Sequence, residues 1–211
     1  MKRKLGIAIV LVAAIGVGLV FGFQRAIGQA VFERVGVERI AGNRLTLDDG
    51  LHIILCGTGS PLPNPDRAGP CNVIVAGDQA FVVDIGEGGA RNLNLMGFDV
   101  AGIDGLFITH YHSDHIDGVG PLALLRWTQG TATTPLPLYG PQGLEQVVDG
   151  FNAVYGLDHG YRVDHHSDAI VPESGGGLTA RMFEMGNEPQ VVFDSDGLTV
   201  TAFRVTHDPI D

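Results

Sequence analysis

The chain has little cysteine, almost no lysine and no repeats. Two cysteines among 211 residues limit it to a single internal bridge. Both lysines, Lys2 and Lys4, fall within the first four positions. The first 30 residues carry no acid; the remainder carries nine arginines and no lysine against 24 acids, a net of −15. Such a surface repels polyanions, because nucleic-acid binding rests on Lys and Arg neutralising phosphates. The field therefore argues against nucleic acid as a partner. The absence of an internal repeat or a low-complexity tract leaves room for one domain plus an N-terminal segment.

That segment holds the one long apolar run. Residues 5–23 are 19 consecutive apolar or glycine positions behind Met1-Lys2-Arg3-Lys4. The length suits a bilayer core, and the basic flank should stay cytoplasmic. The expectation is an uncleaved anchor rather than a signal peptide cut near Gly28-Gln29-Ala30. Both readings export the domain to the extracytoplasmic, periplasmic side. The expected organisation is an anchor or signal over 1–30, a linker over 31–49 and a single domain over 50–211.

The richest stretch is Thr109-His110-Tyr111-His112-Ser113-Asp114-His115. It follows the apolar run Ile103–Ile108, a short buried strand, and precedes Ile116–Trp127, whose apolar spacing is helical. Catalytic groups commonly sit on such strand-to-helix loops. Neutral imidazoles and a carboxylate suit zinc and similar divalent ions. His110 and His112, two apart in an extended loop, reach one ion; Asp114 and His115, after the chain turns, face a second.

This motif resembles the His-x-His-x-Asp-His signature of the metallo-β-lactamase superfamily. Leu55-Cys56-Gly57-Thr58-Gly59-Ser60-Pro61, Arg67–Cys71 and Val82-Val83-Asp84-Ile85-Gly86-Glu87-Gly88 are similar to the opening of its ribonuclease Z group, including the arylsulfatase-like branch. The resemblance covers about residues 50–211. It implies an α/β fold, a four-layer αβ/βα sandwich with the metals at one sheet edge. It also implies a zinc-dependent hydrolase with two Zn²⁺, or Mn²⁺ or Fe²⁺ in their place. His207, behind the last hairpin strand, takes the place of the third histidine on the first metal. The resemblance further implies that Asp114 is a ligand and the catalytic carboxylate and that Asp84 steadies the metal loop from behind.

The family's bridging aspartate and last histidine have no counterpart before the chain stops at Asp211. Asp208 and Asp211 lie too close to His207 to stand in for them. The expected fold is therefore incomplete at its C-terminus, with little activity and at most one weakly held zinc. Three functions are carried forward: an exported hydrolase of small phosphodiesters or sulfate esters, a ribonuclease Z-like tRNA 3′-end endonuclease, and a noncatalytic membrane-anchored binding domain. β-Lactam and thioester hydrolysis rank lower, since they do not share the Gly57-to-Gly88 pattern. An oligomer is compatible with all three.

Elsewhere the pattern alternates between strand and helix. Leu51–Cys56, Val73–Ala76, Ala80–Asp84 and Pro135–Tyr139 read as strands, Gly88–Met96 and Gly143–Tyr155 as helices. Gln190–Asp194 and Leu198–Val205 read as a hairpin about Ser195-Asp196-Gly197. Gly57 and Gly59 read as a tight turn. His159, His165 and His166 read as surface or substrate-rim residues of a polar loop, and His52 as sheet packing or exposed sheet face. Cys56 and Cys71 read as two buried thiols rather than a bridge, and neither as a zinc ligand.

Overall fold

The computed structural model describes residues 44–130, 132–195 and 197–207, with eight scattered helical positions earlier in the chain. The chain divides into two compact units, Met1–Arg44 and Leu45–Asp211, and the sheet and helices belong to the second. Among the described residues no helix is long and apolar enough to cross a membrane. The expected anchor over 5–23 lies largely outside them, as do Asp208 and Asp211.

Six strands form one sheet in the order of the chain: β1 (Leu51–Gly57), β2 (Cys71–Ala76), β3 (Gln79–Ile85), β4 (Gly105–Phe107), β5 (Leu136–Gly140) and β6 (Leu178–Met182). β1 to β3 are antiparallel hairpins; β3 to β6 run parallel and need crossovers. The crossovers are helical: α1 (Gly89–Leu95) after β3, α2 (Ser113–Ile116) and α3 (Val119–Gln129) after β4, and α4 (Leu144–His166) after β5. Val73, Val82, Leu106 and Leu138 are fully buried in one core with Leu93, Leu122 and Leu144 of the helices. A separate two-stranded hairpin, β7 (Gln190–Ser195) and β8 (Leu198–Ala202), lies against the sheet through Phe193. Its ring meets Phe81, Phe107 and Tyr139 with centroids 4.8, 6.2 and 5.6 Å away. This is the mixed α/β architecture expected from the motifs.

Several local expectations need correction. Residues 158–166 are not a loop: α4 runs through them to His166. Three glycines and a polar tail lower its intrinsic propensity, but an Arg162–Asp158 ion pair at 2.7 Å spans one turn. The helix expected over Ile116–Trp127 is two, broken at Asp117-Gly118. β6 was not anticipated; its LTARM sequence is half exposed and lacks a continuous apolar run. Gly57 and Gly59 serve close approach rather than a left-handed turn. A Cβ on Gly57 would lie 1.8 Å from the Gly69 carbonyl oxygen, and one on Gly59 2.6 Å from that of Ala68.

The cysteines are bonded to each other. The antiparallel register that pairs Ile54 with Val73 and Leu55 with Asn72 carries Cys56 to Cys71, with a bulge following as Gly57 pairs with Cys71. Cys56 lies on the less exposed face of β1 with His52 and Ile54, opposite Leu51, Ile53 and Leu55, and its Cα is 5.0 Å from that of Cys71.

Candidate metal centre

The site is assembled at the carboxyl ends of β3 and β4. Between β2 and β3 the register shifts again, Cys71 opposite Ile85 and Asn72 opposite Val83, so Asp84 is unpaired. Its φ of 55° is left-handed, a conformation Asp tolerates better than most residues. The bulge re-aims a carboxylate at the end of an otherwise apolar strand. Asp84 is the one polar residue buried among the described residues, and both of its oxygens accept locally. Oδ1 accepts from the Thr109 amide at 2.8 Å; Oδ2 accepts from Thr109 Oγ1 and from His115 Nδ1, both at 2.8 Å.

The loop from Ile108 to His112 is pinned from both sides. The Ile108 amide donates to Tyr139 O at 2.8 Å, and Tyr111 Oη donates to Pro141 O at 2.5 Å. Burial holds the Tyr111 hydroxyl well above its ordinary pKa, so it stays a donor. His112 is the residue before α2, which carries Asp114 and His115 in a single turn. That turn sits so close to β3 that a Cβ on Gly86 would lie 2.2 Å from Asp114 O. Gly86 therefore sets how near the helical half of the motif comes to Asp84.

Three of the expected ligands converge. One ring nitrogen from each of His110, His112 and His207 lies within 4.8 Å of the others. His110 Nε2 and His112 Nδ1 are 3.1 Å apart. Two nitrogens on one tetrahedral zinc stand about 3.3 Å apart, a spacing that the His110–His112 pair matches. His207 arrives from the segment after β8, where the Arg204 side chain donates to Met185 O and Gly186 O at 3.1 and 3.2 Å. His115 comes close, its ring 4.1 Å from that of His110, with Nε2 3.6 Å from Asp114 Oδ2. Asp114 and His115 thus form a second pair beside the first cluster. The cluster opens into a cleft of about 1100 Å³, whose walls include Phe183, Met185 and Phe203.

Electrostatics separates the two halves. Burial, then the neighbouring His115, His112 and His207, push His110 below the usual histidine pKa. It stays neutral at pH 7 and keeps a lone pair for a cation. His115 is pushed up, first by its hydrogen bond to Asp84, although burial opposes this.

The remaining histidines are elsewhere. His159 faces the indole of Trp127 at 4.3 Å beside a cavity of about 330 Å³ between α3 and α4, and its Nε2 is buried without a partner. His165 and His166 are exposed at the end of α4, and His52 Nε2 lies 2.8 Å from Asp48 O. Thr109 and Tyr111 are structural parts of the site that the motif alone does not mark. Both work through partners about 25 to 30 residues away in sequence, so spacing carries no signal of them.

A bulged aspartate behind a histidine loop, at the carboxyl ends of two neighbouring strands of an α/β sheet, makes a candidate metal site. Residues 64–184 match the model of the metallo-β-lactamase superfamily, and the chain belongs to that superfamily. Ribonuclease Z of Mycobacterium bovis (strain BCG / Pasteur 1173P2) is 38% identical over 162 residues, covering 76% of this chain and 55% of that protein. Ribonuclease Z of Mycobacterium marinum is 36% identical over 162 residues, covering 76% and 56%. The chain thus spans a little over half the length of these relatives. The crystal structure of human tRNase Z, short form, superimposes with a TM-score of 0.58 at 24% identity, over 74% of this chain and 60% of that one. The fold of this superfamily implies a divalent metal, and the histidine cluster is where the donors for one converge.

Proposed function

We propose that the chain carries the metal-binding half-site of a phosphodiesterase of the ribonuclease Z kind, acting on RNA. The observation that carries this reading is the convergence of His110, His112 and His207 on one point, in a chain 38% identical to a ribonuclease Z across 162 residues. His110, His112 and His207 would hold one cation; Asp114 and His115 would contribute to a second. Bound there, divalent cations lower the pKa of water and offset charge on the attacked phosphoryl group. Asp114 supplies a carboxylate that orients the nucleophile and accepts its proton. His115 is held against Asp84, which fixes the ring and leaves Nε2 directed at Asp114. The apolar wall of the cleft excludes water from one side of the substrate.

A second reading has its own support. The net charge of −15 beyond residue 30 opposes an RNA backbone, and the Cys56–Cys71 bridge suits an oxidising compartment. Both favour an exported enzyme for small phosphodiesters or sulfate esters, with residues 5–23 as its membrane segment. The zinc-loaded chain, given precursor tRNA, an aryl phosphodiester and an aryl sulfate in parallel, separates the two. RNA cleavage that weakens as salt rises supports the first reading. Turnover of the small esters with RNA left intact supports the second, and bound zinc with no turnover of any of them supports a noncatalytic binding domain.

A further inference from the structure

We propose that Thr109 is a positioning residue that orients His110 for the first cation and, through Asp84, ties it to the second half of the site. This rests on the reading of His110, His112 and His207 as metal ligands. A threonine hydroxyl has one proton and two lone pairs. Thr109 Oγ1 lies 2.8 Å from Asp84 Oδ2, a carboxylate oxygen that can only accept, so the proton goes there. The same Oγ1 lies 3.0 Å from His110 Nδ1. With its proton committed, Oγ1 meets Nδ1 as an acceptor, and Nδ1 must carry the hydrogen. The lone pair of the neutral ring is then on Nε2, the nitrogen that stands 3.1 Å from His112 Nδ1.

The other half is held by the same oxygen. His115 Nδ1 donates to Asp84 Oδ2 at 2.8 Å, which leaves His115 Nε2 turned toward Asp114. The result is a hydrogen-bonded chain from His110 through Thr109 and Asp84 to His115. One carboxylate, fixed by a bulge at the end of β3, thereby selects the tautomer and ring angle of a histidine in each half-site. Partners of this sort on the non-ligating nitrogen typically change metal affinity by about 10–100-fold when removed. The Thr109 amide is bonded independently to Asp84 Oδ1, so the backbone anchor survives loss of the hydroxyl.

The test is zinc affinity of the full chain, stripped of metal and titrated against a chromophoric chelator, for the wild type, T109V and T109S. T109V removes the hydroxyl at nearly constant volume; T109S keeps it and removes only the methyl. The expected result is a loss of about 10-fold or more in T109V, with wild-type affinity in T109S. Equal affinity in T109V and the wild type would overturn the role of Thr109 while leaving the metal site standing. A loss in T109S as large as in T109V would assign the effect to the methyl and overturn it as well. A wild type that takes up no zinc would remove the metal reading itself. Nitrogen-15 NMR of His110 in the metal-free wild type, at alkaline pH, provides a readout that needs no variant. A hydrogen on Nδ1 is expected, and a hydrogen on Nε2 contradicts the proposal.

Discussion

On its helical face the six-stranded sheet buries Val73, Val82, Leu106 and Leu138 completely, whereas on the other face Leu51, Ile53 and Leu55 of β1 stand 69, 65 and 57% exposed. The first face is covered by α1, α3 and α4. The second is met by the β7–β8 hairpin near β3 to β5, where Phe193 reaches Phe81, Phe107 and Tyr139. The metal centre draws on both. His110 and His112 sit on a loop locked to the sheet through Asp84 and Tyr139, while His207 comes from the chain beyond the hairpin. Scaffold stability and site completeness are therefore separable properties. The first depends on the helical face, and the second on how firmly the hairpin is held.

Substitutions on the two faces should differ in size and in kind. Leu106→Ala, in the fully buried core, should cost about 4 kcal/mol and lower the denaturation midpoint more than any change on the hairpin side. A small loss there would mean that the helical face is not the main core. Breaking the Cys56–Cys71 bridge with Ser at both positions should cost about 3 kcal/mol, from the loop-closure entropy of its 15-residue separation. Reductant should then shift the wild-type midpoint and leave the double variant unmoved. Phe193→Ala should cost only about 1.5 kcal/mol, since the ring is half exposed and its gain is mainly edge contacts. Zinc affinity should nevertheless fall, because the hairpin leads to His207; unchanged affinity would detach His207 from the packing of the hairpin. Ile53→Thr should change stability by less than about 0.5 kcal/mol, and a larger cost would show that this face is covered in solution.

The sequence made the chemistry more legible than its supports. His110, His112, Asp114 and His115 are recognisable because ligand spacing on a loop is a local property. Strands β1 to β5 are legible for the same reason, since apolar runs between glycines and polar turns mark them directly, whereas β6 has no such run. What escaped depends on register. Cys56 meets Cys71 through the pairing of β1 with β2, and Asp84 is aimed at the loop as the extra residue of a bulge. Thr109 bonds to Asp84 across 25 positions, a relation that no periodicity encodes. The tail of α4 reads as a loop in sequence because Asp158–His166 is polar and contains Gly160. His165 and His166 are at the surface as expected, whereas His159 faces Trp127 of α3.

The central claim is that His110, His112 and His207 hold a single divalent cation, two of them from the sheet side and one from the hairpin side. Equilibrium dialysis against zinc, followed by metal analysis of the full chain, tests it directly in the wild type, H112A, H207A and the H165A/H166A pair. The account predicts bound zinc in the wild type and in H165A/H166A, whose histidines are exposed at the end of α4. It predicts loss of that zinc in both H112A and H207A. A folded H207A chain that retains as much zinc as the wild type would contradict it.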